Sequence, residues 1–460
     1  MKKVSRILAI ALCLALILSI TALAAWDQYQ GNSNHNGRIT DAATPYGTSP
    51  TISSTNLTPG TSGWNGIDSV PVMQTVNSTT FSYVLFDGRG TNGAQVAKYN
   101  CNTGAEVWRT TAYGNNGTSL NAKSGFQLST PYLYTASTPN DESDDILYVG
   151  VLSKYDAYEG GEWITGTGSK LVKITGLNTT SPTVTNIITG IAGQINTPIT
   201  FDGTYLYFGT YVGGSSAGKY YQVNRSTGTY KTFTPASYGF YWAGAYSDGT
   251  NVYFGSDNGK FYIRPVGSTF GSATGTTIDL TSYVSNAGNV RSTVVRYGDS
   301  LFFTSQGGYL WRYYLTASGN HSAGDLIYAN IGGTSTSAPV ISENEYIYVG
   351  CYGSSVKGVK GMPLSSFTSN ITTSTGSPWV TVYSGGSVQS SVIVYTNSDY
   401  DYLYFTTNVS GGAGYCYKGD GATYNQRWAT TGGTYTLQGM AACSGYLTFG
   451  NDANKFYIIH

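Results

Sequence analysis

The chain has 460 residues, 60 of them Gly and 41 Tyr, and only 10% are charged, with a formal net charge of zero. So few charges beside 14% aromatic residues exclude a disordered chain, and no basic run beyond the first residues offers an electrostatic footprint for nucleic acid. Abundant Gly, Ser, Thr, Tyr and Val with only four Met favour strands and turns, so an all-β protein is expected.

The first element is an address. Lys2, Lys3 and Arg6 precede the apolar run Ile7 to Leu23, and Ala22 and Ala24 supply the small residues a signal peptidase reads. Cleavage is expected after Ala24, making residues 1–24 a signal peptide. An uncleaved anchor is the weaker reading, because the run is shorter than the ~20 apolar residues a spanning helix needs. Cys13 follows Leu12, not the small residue a lipoprotein signal requires. A secreted or cell-surface protein with no membrane span after cleavage is the expectation. Residues 25–68 read as a lead-in, and residues 69–460 as one domain of repeats.

Within that domain one unit recurs: an apolar strand often entered by Ser-x-Pro, a second strand of the type Tyr-Leu-Tyr-Phe-Gly, a Gly-rich turn, and a third strand rich in Tyr. Clear copies are Thr197-Pro198 with Leu206 to Gly209, and Ala338-Pro339 with Ile347 to Gly350. Anchors for the first strand fall near Pro71, Pro131, Pro198, Gly244, Thr293, Pro339, Ser391 and Gly439. That makes eight units. Alternating apolar and polar residues give each about four half-buried antiparallel strands. Small sheets of this kind bury both faces by packing radially, so the expected fold is an eight-bladed β-propeller of four-stranded antiparallel blades. The last unit ends at His460 after its third strand, and the strand-like Ser49 to Ser53 is expected to supply the missing outer strand and close the ring.

These repeats resemble the pyrroloquinoline-quinone-like (quinoprotein) propeller family. The lead-in Trp26 to Gly37 is similar to the opening of such secreted repeat proteins, and Gly255 to Tyr262 to their second-to-third strand turn. Asn100 to Trp108 resembles the tryptophan-docking turn, in which Thr103 and Gly104 make the turn and Trp108 packs on a neighbouring blade. Weaker copies run from Asn224 to Lys231, around Tyr230, and from Gly419 to Trp428. The resemblance implies either an enzyme that holds the quinone and calcium in a central funnel, or a non-catalytic scaffold. The adjacent Cys-Cys pair of the enzymes is missing, and no funnel set of Glu, Asn and Asp is recognisable.

Other candidate sites are weighed beside simpler readings. Asp141, Glu142, Asp144 and Asp145 cluster in one loop of the second unit, where hard-cation ligation competes with a favoured solvated acidic turn. A shorter acidic turn, Asp399 to Asp401, is weaker still. Tyr238, Phe240, Tyr241 and Trp242 lead into the fourth unit and form either an aromatic platform at the channel mouth or, as favoured, packing between blades. His35, His321 and His460 are scattered, so they suggest no metal cluster or acid–base pair. Cys101 with Cys443, and Cys351 with Cys416, are candidate disulfides.

The resulting expectation is a secreted, non-catalytic propeller that binds or scaffolds a protein or glycan partner, without a cofactor. A divergent quinone-dependent dehydrogenase, with pyrroloquinoline quinone and calcium, is the alternative. A glycan-binding or glycan-cleaving propeller is the third.

Overall fold

The computed structural model describes residues 25–41, 44–57, 66–88, 93–111, 116–120, 127–136, 138, 140–152, 158–159, 162–163 and 167–460. The expected signal peptide lies outside them. No helix among the described residues is long and apolar enough to cross a membrane.

Eight antiparallel sheets form an eight-bladed β-propeller. Every sequence anchor precedes an inner strand by one or two residues. The eight inner strands are Val72–Val76, Tyr132–Tyr134, Thr200–Phe201, Tyr246–Ser247, Val295–Tyr297, Val340–Ile341, Ile393–Asn397 and Ala441–Cys443. The second unit carries an extra hairpin, Tyr158–Glu159 with Glu162–Trp163, between its second and third strands.

The Ser and Thr of the anchors serve as a hydrogen-bonded belt around the channel. Val70 N donates to Thr130 Oγ1 (3.2 Å), Ser129 Oγ to Thr197 O (2.8 Å), Thr304 Oγ1 to Ser337 O (2.8 Å) and Thr406 Oγ1 to Gln438 O (2.7 Å). Each bond steps from one blade to the next, satisfying polar groups that would otherwise be buried without partners.

The glycine ending the second strand has a steric reason. A Cβ on Gly255 would stand 2.0 Å from Val290 Cγ1, and one on Gly450 would stand 2.2 Å from Ile67 Cβ. In both cases the chain entering the next blade presses against bare backbone. Thr304 and Thr406 take the equivalent position in blades five and seven, and there the hydroxyl joins the belt instead.

Tyrosine on the second strand has a polar duty as well as an apolar one. Tyr207 Oη donates to Asp202 (2.6 Å), Tyr253 to Asp248 (2.8 Å), Tyr348 to Asp401 (2.7 Å) and Tyr83 to Glu142 (2.7 Å). Each ring fills a wedge between blades while its hydroxyl ties a carboxylate, in the first-to-second strand connection for Asp202, Asp248 and Glu142 and at the start of the second strand for Asp401. The weak acidic turn at Asp401 is thereby a structural anchor.

The ring closes as the sequence implied. Ile52–Asn56 pairs antiparallel with Lys455–Ile459 as the outer strand of blade eight, and Thr51 and His460 exchange both backbone bonds (2.8 and 3.0 Å). Ahead of that strand, the lead-in crosses the channel. Ala25–Trp26 pairs with blade one, and Arg38–Ile39 runs parallel to the inner strand of blade seven. Between them, Asp27 O accepts from Leu133 N (2.7 Å), Gln28 Oε1 from Phe201 N (3.1 Å) and Asn34 O from Arg296 N (2.9 Å). One short segment thus touches blades one, two, three, five and seven, and Arg38 ion-pairs with Glu343 of blade six (2.7 Å).

Candidate functional site at the channel mouth

The lead-in occupies the channel from the face that carries the first-to-second strand turns. Tyr29 forms its floor, hydrogen-bonded to Ser391. Above it, Leu128, Thr130, Pro198, Trp242 and Thr336 enclose about 10 Å³, room for one water.

At the opposite mouth, three connections bring aromatic and charged groups together. Tyr211 ends the second strand of blade three, and its ring meets Tyr241 edge-on at 5.2 Å. Trp242 follows at 4.9 Å from Tyr241. Arg291, from the connection into blade five, lays its guanidinium 4.6 Å from the Tyr241 ring centre. Asp257, in the second-to-third strand turn of blade four, holds that guanidinium through Nε (2.9 Å) and Nη2 (2.6 Å). Burial raises the Asp257 carboxyl, and Arg291 opposes the rise. Tyr211, Tyr241, Trp242 and Arg291 are each half-buried.

Across the mouth, Asp68 is buried where blades eight and one meet. Burial, and then the neighbouring Asp452 and Asp87, hold its carboxyl well above the usual carboxylate range. Asp68 also raises the Tyr241 hydroxyl, after the larger effect of burial. Flat rings and an oriented guanidinium make a surface suited to stacking and hydrogen bonding. Among the described residues, no group of three or more His, Cys, Asp or Glu is arranged to hold a metal ion. The three histidines stay apart. His35 is buried and neutral, pushed down to about 3 by burial, His321 stacks on Tyr314 at 4.3 Å, and His460 sits at the ring closure.

The aromatic residues singled out in the sequence divide. Tyr238 is exposed in a left-handed conformation (φ 62°), while Tyr241 and Trp242 belong to the mouth. The platform reading of Phe240 gives way to the favoured core packing: it packs edge-on to Tyr220 at 4.9 Å and near Phe254 at 5.6 Å, where the bare Gly209 makes space for it.

The acidic loop is also corrected, because its carboxylates diverge. Glu142 turns inward and accepts from Lys98 on both oxygens (2.7 Å each), from Tyr83 and from Gln74. Asp145 is buried and accepts from Ala136 N (2.9 Å), Asp144 accepts from Thr138 Oγ1 (2.8 Å), and exposed Asp141 caps Ser143 N (2.9 Å). The loop is therefore neither a cation cradle nor a wholly solvated turn.

In the docking turn, Asn100 Oδ1 accepts from Asn102 N and Thr103 N, Gly104 has φ +71°, and Trp108 Nε1 donates to Leu177 O of blade two (3.0 Å). Asn224 builds the same turn with Gly228 at φ 72°, although Tyr230 stays exposed. Trp428 Nε1 donates to Pro45 O (2.8 Å), docking blade seven on the lead-in to blade eight.

Cys101, Cys443, Cys351 and Cys416 are all buried, and Cys101 lies near enough to Cys443 for that neighbour to raise its thiol, after the larger effect of burial. Cys443 is engaged by Thr75 Oγ1 at 3.4 Å, while Cys351 lies near Lys360 and Cys416 beside Tyr404, in different strands with different neighbours. The residues that sequence reasoning missed, Tyr211, Arg291, Asp68 and Asp452, come from separate connections and share no local pattern.

No protein-family model and no curated protein sequence matches the chain. Solved structures resemble it in shape. A europium-containing methanol dehydrogenase matches with a TM-score of 0.56 at 10% identity, covering 93% of this chain and 89% of its own. BamB from Moraxella catarrhalis matches with a TM-score of 0.51 at 10% identity over 89% of this chain and 98% of its own, and Sqt1 from Saccharomyces cerevisiae with 0.50 at 10% identity over 88% and 97%. At that identity the likeness establishes the propeller fold.

Proposed function

We propose that this protein is an exported, non-catalytic β-propeller of the quinoprotein-like type that recognises a protein partner at or outside the cell surface through its open channel mouth. The observation that carries this reading is the filled channel. With residues 25–39 laid across six blades and Tyr29 held on Ser391, the lead-in takes up, among the described residues, the central position that a tricyclic quinone with its calcium ion would need. Recognition therefore falls to the surface around the channel. Tyr, Trp and Arg, the types that dominate binding hot spots, are gathered at the mouth as Tyr211, Tyr241, Trp242 and Arg291. The export signal in residues 1–24 supports the location, and the zero net charge disfavours nucleic acid as partner.

The test is to follow the unfolding of residues 25–460 and dye-linked alcohol oxidation with pyrroloquinoline quinone and calcium present. A ligand at a hundred times its dissociation constant adds ~2.7 kcal/mol to a native state that alone binds it. Neither stabilisation nor turnover is expected. Stabilisation with turnover would make the protein a dehydrogenase.

A further inference from the structure

Blade six carries a second concavity, away from the channel. Its third-to-fourth strand connection is long, and Ile371 within it pairs beside Ala329, extending the outer edge of blade five. The connection then returns past Ser374 to Trp379 before the outer strand Val380–Tyr383. Between this return and the second-to-third strand turn at Val356 and Lys357 lies a cleft of about 280 Å³. Lys357, Lys360, Ser374, Thr375, Trp379 and Thr381 line it.

The cleft is out of electrostatic balance. Lys360 is only 7% exposed, and its ammonium donates to Ile331 O (2.7 Å) and to Ser374 O, leaving one N–H to spare. Among the described residues no carboxylate pairs with Lys360 or Lys357. The contrast within the molecule is direct: buried Lys98 has its own internal carboxylate in Glu142 at 2.7 Å, whereas Lys360 lines open space. A buried charge without a counter-ion is costly, and burial lowers the Lys360 ammonium accordingly. Trp379, also 7% exposed, stands 5.5 Å from that ammonium, and its indole N–H has no protein partner. Exposed Lys357 adds a second positive charge at the rim. Spare donors without a matching acceptor call for an oxyanion, and the hydroxyls of Ser374, Thr375 and Thr381 call for a ligand with hydroxyls of its own.

We propose that the blade-six cleft binds a carboxylate-bearing sugar, its carboxylate directed to Lys360 and Lys357, its ring to Trp379 and its hydroxyls to the Ser and Thr side chains. The site is separate from the channel mouth and does not depend on the function assigned there.

The experiment titrates residues 25–460 with sodium glucuronate by calorimetry and ligand-observed NMR, with glucose and sodium sulfate as parallel probes. Saturable glucuronate binding is expected, with no binding of glucose and weaker binding of sulfate. Lys357→Glu, an exposed change, is expected to weaken glucuronate at least about tenfold, in line with loss of one charge-assisted contact and gain of a repulsive one. Lys360→Met is expected to abolish binding. Should that variant not fold, Lys357→Glu decides alone. Four outcomes overturn the proposal: no saturable glucuronate binding, glucose binding equally, sulfate binding as tightly, or Lys357→Glu binding like the parent protein.

Discussion

Replacing Lys98 by Met tests whether the acidic loop of blade two is a structural clamp. Lys98 and Glu142 lie on different blades with side chains 2% and 7% exposed, and the ammonium donates to both carboxylate oxygens at 2.7 Å and to Leu177 O at 3.0 Å. Met fills similar volume but leaves Glu142 charged and buried with only Tyr83 and Gln74 as donors. Leu177 O keeps one donor, the Trp108 indole. Breaking one side of a buried pair costs about 3–5 kcal/mol, against about 0–1 kcal/mol for an exposed pair. Urea unfolding of residues 25–460 measures the difference. The double variant Lys98→Met with Glu142→Gln should lose less than the sum of the two single changes, since neither charge is then stranded. A loss below about 1 kcal/mol for Lys98→Met, or simple additivity in the double variant, would refute the clamp.

Four further outcomes follow from the geometry. Deleting residues 25–57 should leave the strand Lys455–Ile459 as an open edge, and light scattering should then detect association of the truncated chain while the parent stays monodisperse. Burial pushes the Asp27 carboxyl from 3.8 up to about 7, so the native state holds a proton that the unfolded chain releases, and this group's contribution to stability falls as pH rises from about 4 to about 7. Asp27→Asn should therefore gain more on the parent at pH 8 than at pH 5, and an unchanged pH slope in urea unfolding would contradict this. His35 acts in the opposite sense: held neutral down to about 3 against 6.5 when free, it costs stability as pH falls through that window, and His35→Asn should flatten the acid limb. Gly255→Ala should cost about 1–3 kcal/mol, because its Cβ meets Val290 at 2.0 Å, whereas Gly104→Ala meets open space and pays only for its φ of +71°, about 1 kcal/mol.

The propeller was legible because its determinants are local and repeated. Most anchors carry a hydroxyl for the belt, and most second strands need a glycine where the next blade presses in, so the same short patterns recur along the chain. The closing strand at Ile52–Asn56 was legible from arithmetic, one unit being a strand short. Trp108 was legible because its turn has a fixed sequence form. Glu142 was misread because its partner Lys98 lies 44 residues away on another blade, where no spacing rule connects them. Phe240 and Tyr241 are neighbours with opposite fates, decided by the space Gly209 leaves under one ring and by Arg291 over the other. Of the cysteines paired by position around the ring, Cys101 and Cys443 are neighbours where blades one and eight meet, whereas Cys351 has Lys360 beside it and Cys416 has Tyr404.

The closing strand also sets an order of events. Ser53 bonds to Ile458 across a sequence separation of 405 residues, so the closing strand, made early in a chain synthesised N-terminus first, has no partner until the last strand exists. The lead-in that crosses the channel waits in the same way, since its contacts run from blade one to blade seven. Completion of the ring is therefore coupled to completion of synthesis. A chain interrupted anywhere before blade eight carries an unmated closing strand, and a protease could distinguish unfinished copies from finished ones by that strand alone.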